Sequence, residues 1–147
     1  MNIGTIGGLA RKSNNLPYVN DATQTLKSVL KLMANGDFAT AKSLATKLYK
    51  TNSWSPELLN ILGVIHFRLK EKSTSVLFYK KALTVRPNYF EALNNLGVVL
   101  NSIGMHEEAR NVLEQGLKLN PNSHVAYKTL GQAYEKLYNS AKAIECF

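Results

Sequence analysis

The sequence predicts an all-α fold, a row of helical hairpins packed side by side. Three observations point there. Leu-Gly pairs recur at Leu62-Gly63, Leu96-Gly97 and Leu130-Gly131, each 34 residues after the last. Pro87 and Pro121 keep the same step of 34, as do the small residues Ser75, Ala109 and Ala143. With 4 prolines and 9 glycines in 147 residues, the composition does not suit a loop-rich all-β fold. Self-similarity at a period of this size marks stacked repeats of one supersecondary unit.

The elements follow in chain order. Residues 1–21 carry Gly-Gly, Asn-Asn and Leu-Pro elements with no sustained period, and read as a flexible leader with a short helical turn around Ile3 to Leu9. A degenerate repeat follows at 22–55. It keeps Leu32, Ala41 and the turn Asn35-Gly36-Asp37, but has Ser28-Val29 in place of Leu-Gly and Ser53 in place of proline. A terminal unit has a neighbour on one side only, so an atypical end repeat is expected. Well-formed repeats occupy 56–89 and 90–123, and a truncated one occupies 124–147. The periodicity places first helices at 22–34, 56–69, 90–103 and 124–137, and second helices at 38–51, 73–85, 107–119 and 141–147.

Each recurring position has a physical reason. Leu59, Leu62, Gly63 and His66 stand at i, i+3, i+4 and i+7, one stripe of a helix. A glycine inside that stripe costs about 1 kcal/mol against alanine. A repeated cost implies a repeated gain, and close approach of the partner helix is the expected one, with Ser75, Ala109 and Ala143 as the small residues received there. Turn signals separate the helices at Asn35-Gly36-Asp37, Ile103-Gly104 and Tyr138-Asn139-Ser140. Arg86-Pro87-Asn88 and Asn120-Pro121-Asn122 close the second helices, because proline opposes helix continuation and Asn favours turns.

The spacing Leu59-x₂-Leu62-Gly63-x₂-His66…Ser75-x₃-Tyr79…Pro87, and its copies on Leu93 and Tyr127, resemble the tetratricopeptide repeat pattern W-x₂-L-G-x₂-Y…A-x₃-F…P. The resemblance implies a right-handed α-solenoid of helical hairpins, an α-α superhelix whose first helices line a concave face. It implies a non-catalytic protein–protein interaction scaffold that binds a peptide or partner protein there. The residues expected on that face are Asn60, Val64, Phe67 and Arg68 in the second repeat, Glu91, Asn94, Asn95, Val98 and Asn101 in the third, and Lys128 and Gln132 in the fourth. Amides both donate and accept, so they suit the backbone of an extended peptide. Asn95 matches the asparagine ladder of arrays of the O-linked N-acetylglucosamine transferase type, but its equivalents Ile61 and Thr129 do not continue it. Chaperone-binding members grip a C-terminal carboxylate with a Lys-and-Asn clamp. Here the clamp positions hold Leu26 and Leu30 in one register and Asn60 and Val64 in the next, so chaperone tails are not expected to bind. The chain is also similar to the arrays that lead bacterial sulfotransferases and glycosyltransferases, and a substrate-positioning or assembly module of such an enzyme is the alternative.

Composition limits the other classes of function. No apolar run approaches the roughly 20 residues that span a bilayer, so no membrane association is expected. Arg11 and Lys12 follow the mildly apolar N-terminal stretch, whereas a secretory signal has its positive charge first, so a cytoplasmic location is expected. The net charge of +8 is uneven. Ala22 to Ser55 has five Lys against one Asp, Pro56 to Tyr89 has six basic against two acidic residues, and Phe90 to Ser123 has two against four. Lys47, Lys50, Lys80, Lys81, Arg86 and Lys118 fall near the ends of second helices, where the helix dipole favours cations, and nucleic acid is not expected as a partner. The one cysteine, Cys146, excludes a disulfide framework within the chain or a multi-cysteine metal site. No phosphate loop, zinc-protease or nucleophile-elbow motif is present, and neither a cofactor nor catalysis is expected. His66 reads as a core histidine, His106 and His124 lie at a turn and a helix start, and Trp54 reads as a packing residue at a repeat junction. The uncapped C-terminal end, around Tyr134, Leu137 and Ile144, is expected to favour homo-oligomers.

Overall fold

The computed structural model describes residues 17–51 and 55–141. Among these residues the chain is all helix: α1 (Pro17–Ala34), α2 (Phe38–Thr51), α3 (Pro56–Arg68), α4 (Lys72–Val85), α5 (Phe90–Ser102), α6 (His106–Leu119) and α7 (His124–Ala141). Most of the expected boundaries hold to within a residue. The first helix is longer than expected, starting at Pro17 rather than residue 22. The expected helical turn near Ile3, the contacts of Trp54 and the expected last helix beyond Ala141 lie outside the described residues.

The three hairpins close with one local device. Gly36 and Gly104 sit at φ +80° and +83°, and Lys70 takes the same left-handed conformation at φ +66°. Across each of these turns a backbone N–H reaches back five residues: Asp37 to the Leu32 carbonyl, Glu71 to His66 and Met105 to Leu100, each at 2.9 Å. This is the Schellman arrangement that ends a helix on a left-handed residue. The three left-handed positions are 34 apart, and the next in the series is Tyr138. There the expected turn at Tyr138-Asn139-Ser140 is absent, and α7 runs through it to Ala141. A bulky residue in the left-handed region costs about 1–2 kcal/mol, and no glycine is present to lower that cost. Lys70 bears such a cost in a turn that is closed by the same backbone bond and followed by Glu71, which is tied to Lys42 and His66.

Packing between the two helices of each hairpin turns on one pair of residues. A Cβ built at Gly63 would stand 2.4 Å from the Tyr79 ring, and one at Gly97 would stand 2.5 Å from Leu113. Both large side chains are essentially fully buried. The glycine therefore receives a large residue, not the small one expected. The small residue contributes differently: the Ser75 hydroxyl, fully buried, donates to the Gly63 carbonyl at 2.7 Å. In the first hairpin the pair is inverted. Val29 stands at the glycine position and Ala45 at the large position, and both are fully buried in one cluster. The missing Leu-Gly is thus an exchange of volume across the same contact.

The helix layers follow. α3 touches α5 and α5 touches α7, whereas no two of α2, α4 and α6 are comparably close. A stack whose first helices are closer together than its second helices must curve, with the first helices on the inside. Ser55 caps α3 and Ser123 caps α7, each hydroxyl accepting an N–H of the first turn. No described helix is long and apolar enough to cross a membrane.

Gly63→Ala and Gly97→Ala are expected to lose about 1–3 kcal/mol, the usual cost of overpacking a stiff core. Lys70→Gly is expected to gain about 1 kcal/mol by removing the left-handed penalty. Urea melts of the three variants check these values.

Candidate partner-binding face

The inner layer carries the residues expected from the sequence, but it uses several of them internally. Val64 and Phe67 are half-buried against the cluster of Tyr79, Leu96, Val99 and Leu100. They bridge α3 to α5, and only part of each remains for a ligand. The Arg68 guanidinium lies over the Phe38 ring, 4.4 Å from its centre, and so is drawn toward α2. Asn95 Nδ2 donates to Asn60 Oδ1 at 3.1 Å, which ties α3 to α5. The Asn94 side-chain oxygen is buried and has no hydrogen-bond partner among the described residues. The expected amide-rich strip is therefore partly an internal hydrogen-bonded seam.

The open part of the face lies between α5 and α7. Val98, Asn101 and Ser102 from α5, His106 from the start of α6, and Gln132, Glu135 and Lys136 from α7 line a cleft of about 490 Å³. The structure thus brings Val98, Asn101 and Gln132 together. Glu91 and Lys128 are exposed on the same two helices. Asn101 Nδ2 donates to the Thr129 carbonyl at 2.9 Å, and its oxygen faces His106 Nδ1 at 2.8 Å. His106 was not among the expected face residues. The signal for it is proximity: it stands five residues after Asn101, across the tight turn at Gly104.

Some charged side chains elsewhere are engaged with one another or with aromatic rings. Arg86 pairs with Glu57 at 2.6 Å and Lys80 with Glu108 at 2.8 Å. Lys81 sits over the Tyr49 and Phe78 rings. These half-exposed pairs each contribute little to stability.

One polar cluster interrupts the core. His66 is buried, as expected, and stacks on Phe78 with ring centres 5.1 Å apart. Its Nδ1 bonds to the Glu71 carboxylate, which also accepts from Lys42 Nζ at 2.7 and 2.8 Å. Lys42 first and then His66 hold the Glu71 carboxyl below the usual carboxylate range. The cluster ties α2 to α3 and to the turn before α4. At the C-terminal end, Tyr134 is half-buried and stacked on Tyr138, while Val125, Tyr127 and Tyr138 are exposed. Leu137 is half-buried, and Ile144 lies outside the described residues. Among the described residues, no group of His, Cys, Asp and Glu could hold a metal ion.

Comparison with known proteins agrees with this geometry. Tetratricopeptide repeat models match residues 56–89 and 78–111. The chain is 30% identical over 96 residues to the uncharacterized protein ycf37 of Pyropia yezoensis, covering 65% of this chain and 54% of that protein. It is 29% identical over 70 residues to tetratricopeptide repeat protein 7B of Mus musculus, covering 48% of this chain and 8% of that one. The chain therefore spans about half the length of the first relative and less than a tenth of the second. In structure it is similar to the first such domain of Spaghetti (RPAP3), solved bound to the HSP90 peptide SRMEEVD, with a TM-score of 0.77 and 23% identity, covering 79% of this chain and 92% of that one. The chain carries tetratricopeptide repeats, matched over residues 56–111.

The depressed Glu71 carboxyl carries a prediction with a defined sign. A carboxyl depressed by folding adds stability above its ordinary value of 4.5, and that stability is lost as pH falls through the lower folded value. Wild type is expected to exceed Glu71→Gln in stability at neutral pH, and the two should converge as the carboxyl is protonated in acid. Urea melts across that range check it.

Proposed function

We propose that this chain is a non-catalytic scaffold that holds an extended segment of a partner protein on the α3–α5–α7 face, within the cytoplasm. The observation that carries the reading is the open cleft between α5 and α7, lined by Val98, Asn101 and Gln132 with His106 at its edge. It lies on the inside of the curve, where a segment can touch successive hairpins at once. Its polar lining sets the amides Asn101 and Gln132 beside Ser102, His106 and the opposite charges Glu135 and Lys136, a mixture of donors and acceptors that suits a peptide backbone better than a charged terminus.

A bound C-terminal carboxylate requires fixed positive charge. The positions that would supply it hold Leu26 and Leu30, or Asn60 and Val64. Leu30 is 47% exposed and offers an apolar surface there, and Val64 is packed against the core. The reading therefore departs from the Spaghetti domain in the chemistry of its ligand while sharing its fold.

Two measurements test it. Titration with SRMEEVD is expected to show no saturable binding. Peptides selected from a displayed random library on the full chain are expected to bind wild type, and to lose about tenfold or more in affinity when Glu91, Lys128 and Gln132 are together changed to Ala. These three side chains are exposed, so the melt should move by no more than about 0.5 kcal/mol per site. Unchanged affinity in the triple variant would remove this face as the binding surface.

A further inference from the structure

We propose that His106 is a fixed hydrogen-bond acceptor of the α5–α7 cleft, whose Nε2 takes a neutral backbone N–H of the bound segment. The inference rests on the groove reading above and adds to it the residue and the polarity of one contact.

The polarity follows from a chain of forced roles. The Thr129 carbonyl can only accept, so the Asn101 atom 2.9 Å from it must be the amide nitrogen. The other arm of that amide is then an oxygen, which also can only accept. His106 Nδ1 stands 2.8 Å from it and must carry a proton. A neutral imidazole protonated at Nδ1 leaves Nε2 as an acceptor. Nε2 has no hydrogen-bond partner among the described residues, and His106 lines both the 490 Å³ cleft and an adjoining one of about 410 Å³ with Glu107, Glu108 and Lys136.

The repeat itself does not call for this arrangement. The positions equivalent to Asn101 and His106 in the second hairpin are Phe67 and Lys72, 34 residues earlier. Phe67 there packs on the core, and Lys72 reaches forward to the Ser102 carbonyl at 3.1 Å. The surrounding charges do not favour a charged ligand atom: Glu135 and Lys136 line the cleft together, and Glu107 is paired with Arg110 at 2.7 Å. A neutral donor, such as a peptide N–H, fits an acceptor in that setting.

The test separates an acceptor from a structural staple. His106→Asn retains an amide N–H to bond Asn101 but deletes the group at the Nε2 position. His106→Gln places a polar end near that position. With library-selected peptides as the probe, wild type should bind, His106→Asn should lose about tenfold at unchanged melting temperature, and His106→Gln should recover part of the loss. Long-range proton–nitrogen NMR of the free chain should show a protonated Nδ1 and a bare Nε2, and the Nε2 resonance should move on binding. Equal affinity of wild type and His106→Asn, or a proton on Nε2 in the free chain, overturns the proposal and leaves the groove reading standing. Failure to select any peptide overturns both.

Discussion

The structure depends on how closely the two helices of each hairpin can approach. That distance is set where a residue of the first helix meets one sixteen positions later on the second: Gly63 on Tyr79, Gly97 on Leu113, Val29 on Ala45. In every case one member is small and the other fills the space. A larger residue on one helix goes with a smaller one on the other, whichever helix carries it, as close packing of interiors requires. If both members were large the helices would separate. Leu58, Leu62, Ile65, Leu96 and Leu100, now essentially dry, would then be exposed.

From that contact the rest follows by stacking. A constant hairpin geometry, repeated with the same left-handed turn at Gly36, Lys70 and Gly104, places α3, α5 and α7 in one layer. The layer is inside the curve because its helices touch one another. Polar groups are then used in two ways. Some fasten neighbouring units, as Asn95 does to Asn60 and Glu71 does to Lys42 and His66. Others, at Gln132, Glu91 and Lys128, stay exposed on α5 and α7. Side chains of the second kind can vary without disturbing the stack, so a repeat of fixed shape can carry a variable function.

Much of the fold was legible because the repeat writes each constraint several times. The step of 34 located α2 to α6 to within a residue, since turns, glycines and prolines all keep it. The face was less legible. A first-helix position off the packing stripe can still be covered by the next hairpin, which is what happens to Val64 and Phe67. The bonds of Asn60, Asn95 and Arg68 depend on rotamers, which no spacing encodes. The volume exchange in the first hairpin is not visible at either position alone, because Val29 and Ala45 each depart from the repeat and compensate only as a pair. The run-on of α7 shows the opposite error: Tyr138-Asn139-Ser140 has turn composition, but the left-handed position falls on a tyrosine.

The most direct measurement of the central claim transfers the first hairpin's solution to the third. Gly97→Val alone should destabilise the chain, because even a first added carbon meets Leu113 at 2.5 Å. Leu113→Ala alone should also destabilise it, by about 2–5 kcal/mol for the cavity left behind. If the contact works by summed volume, the double variant Gly97→Val with Leu113→Ala will be more stable in urea than the sum of the two losses, by about 1–3 kcal/mol of coupling. Simple additivity of the two losses would contradict the account.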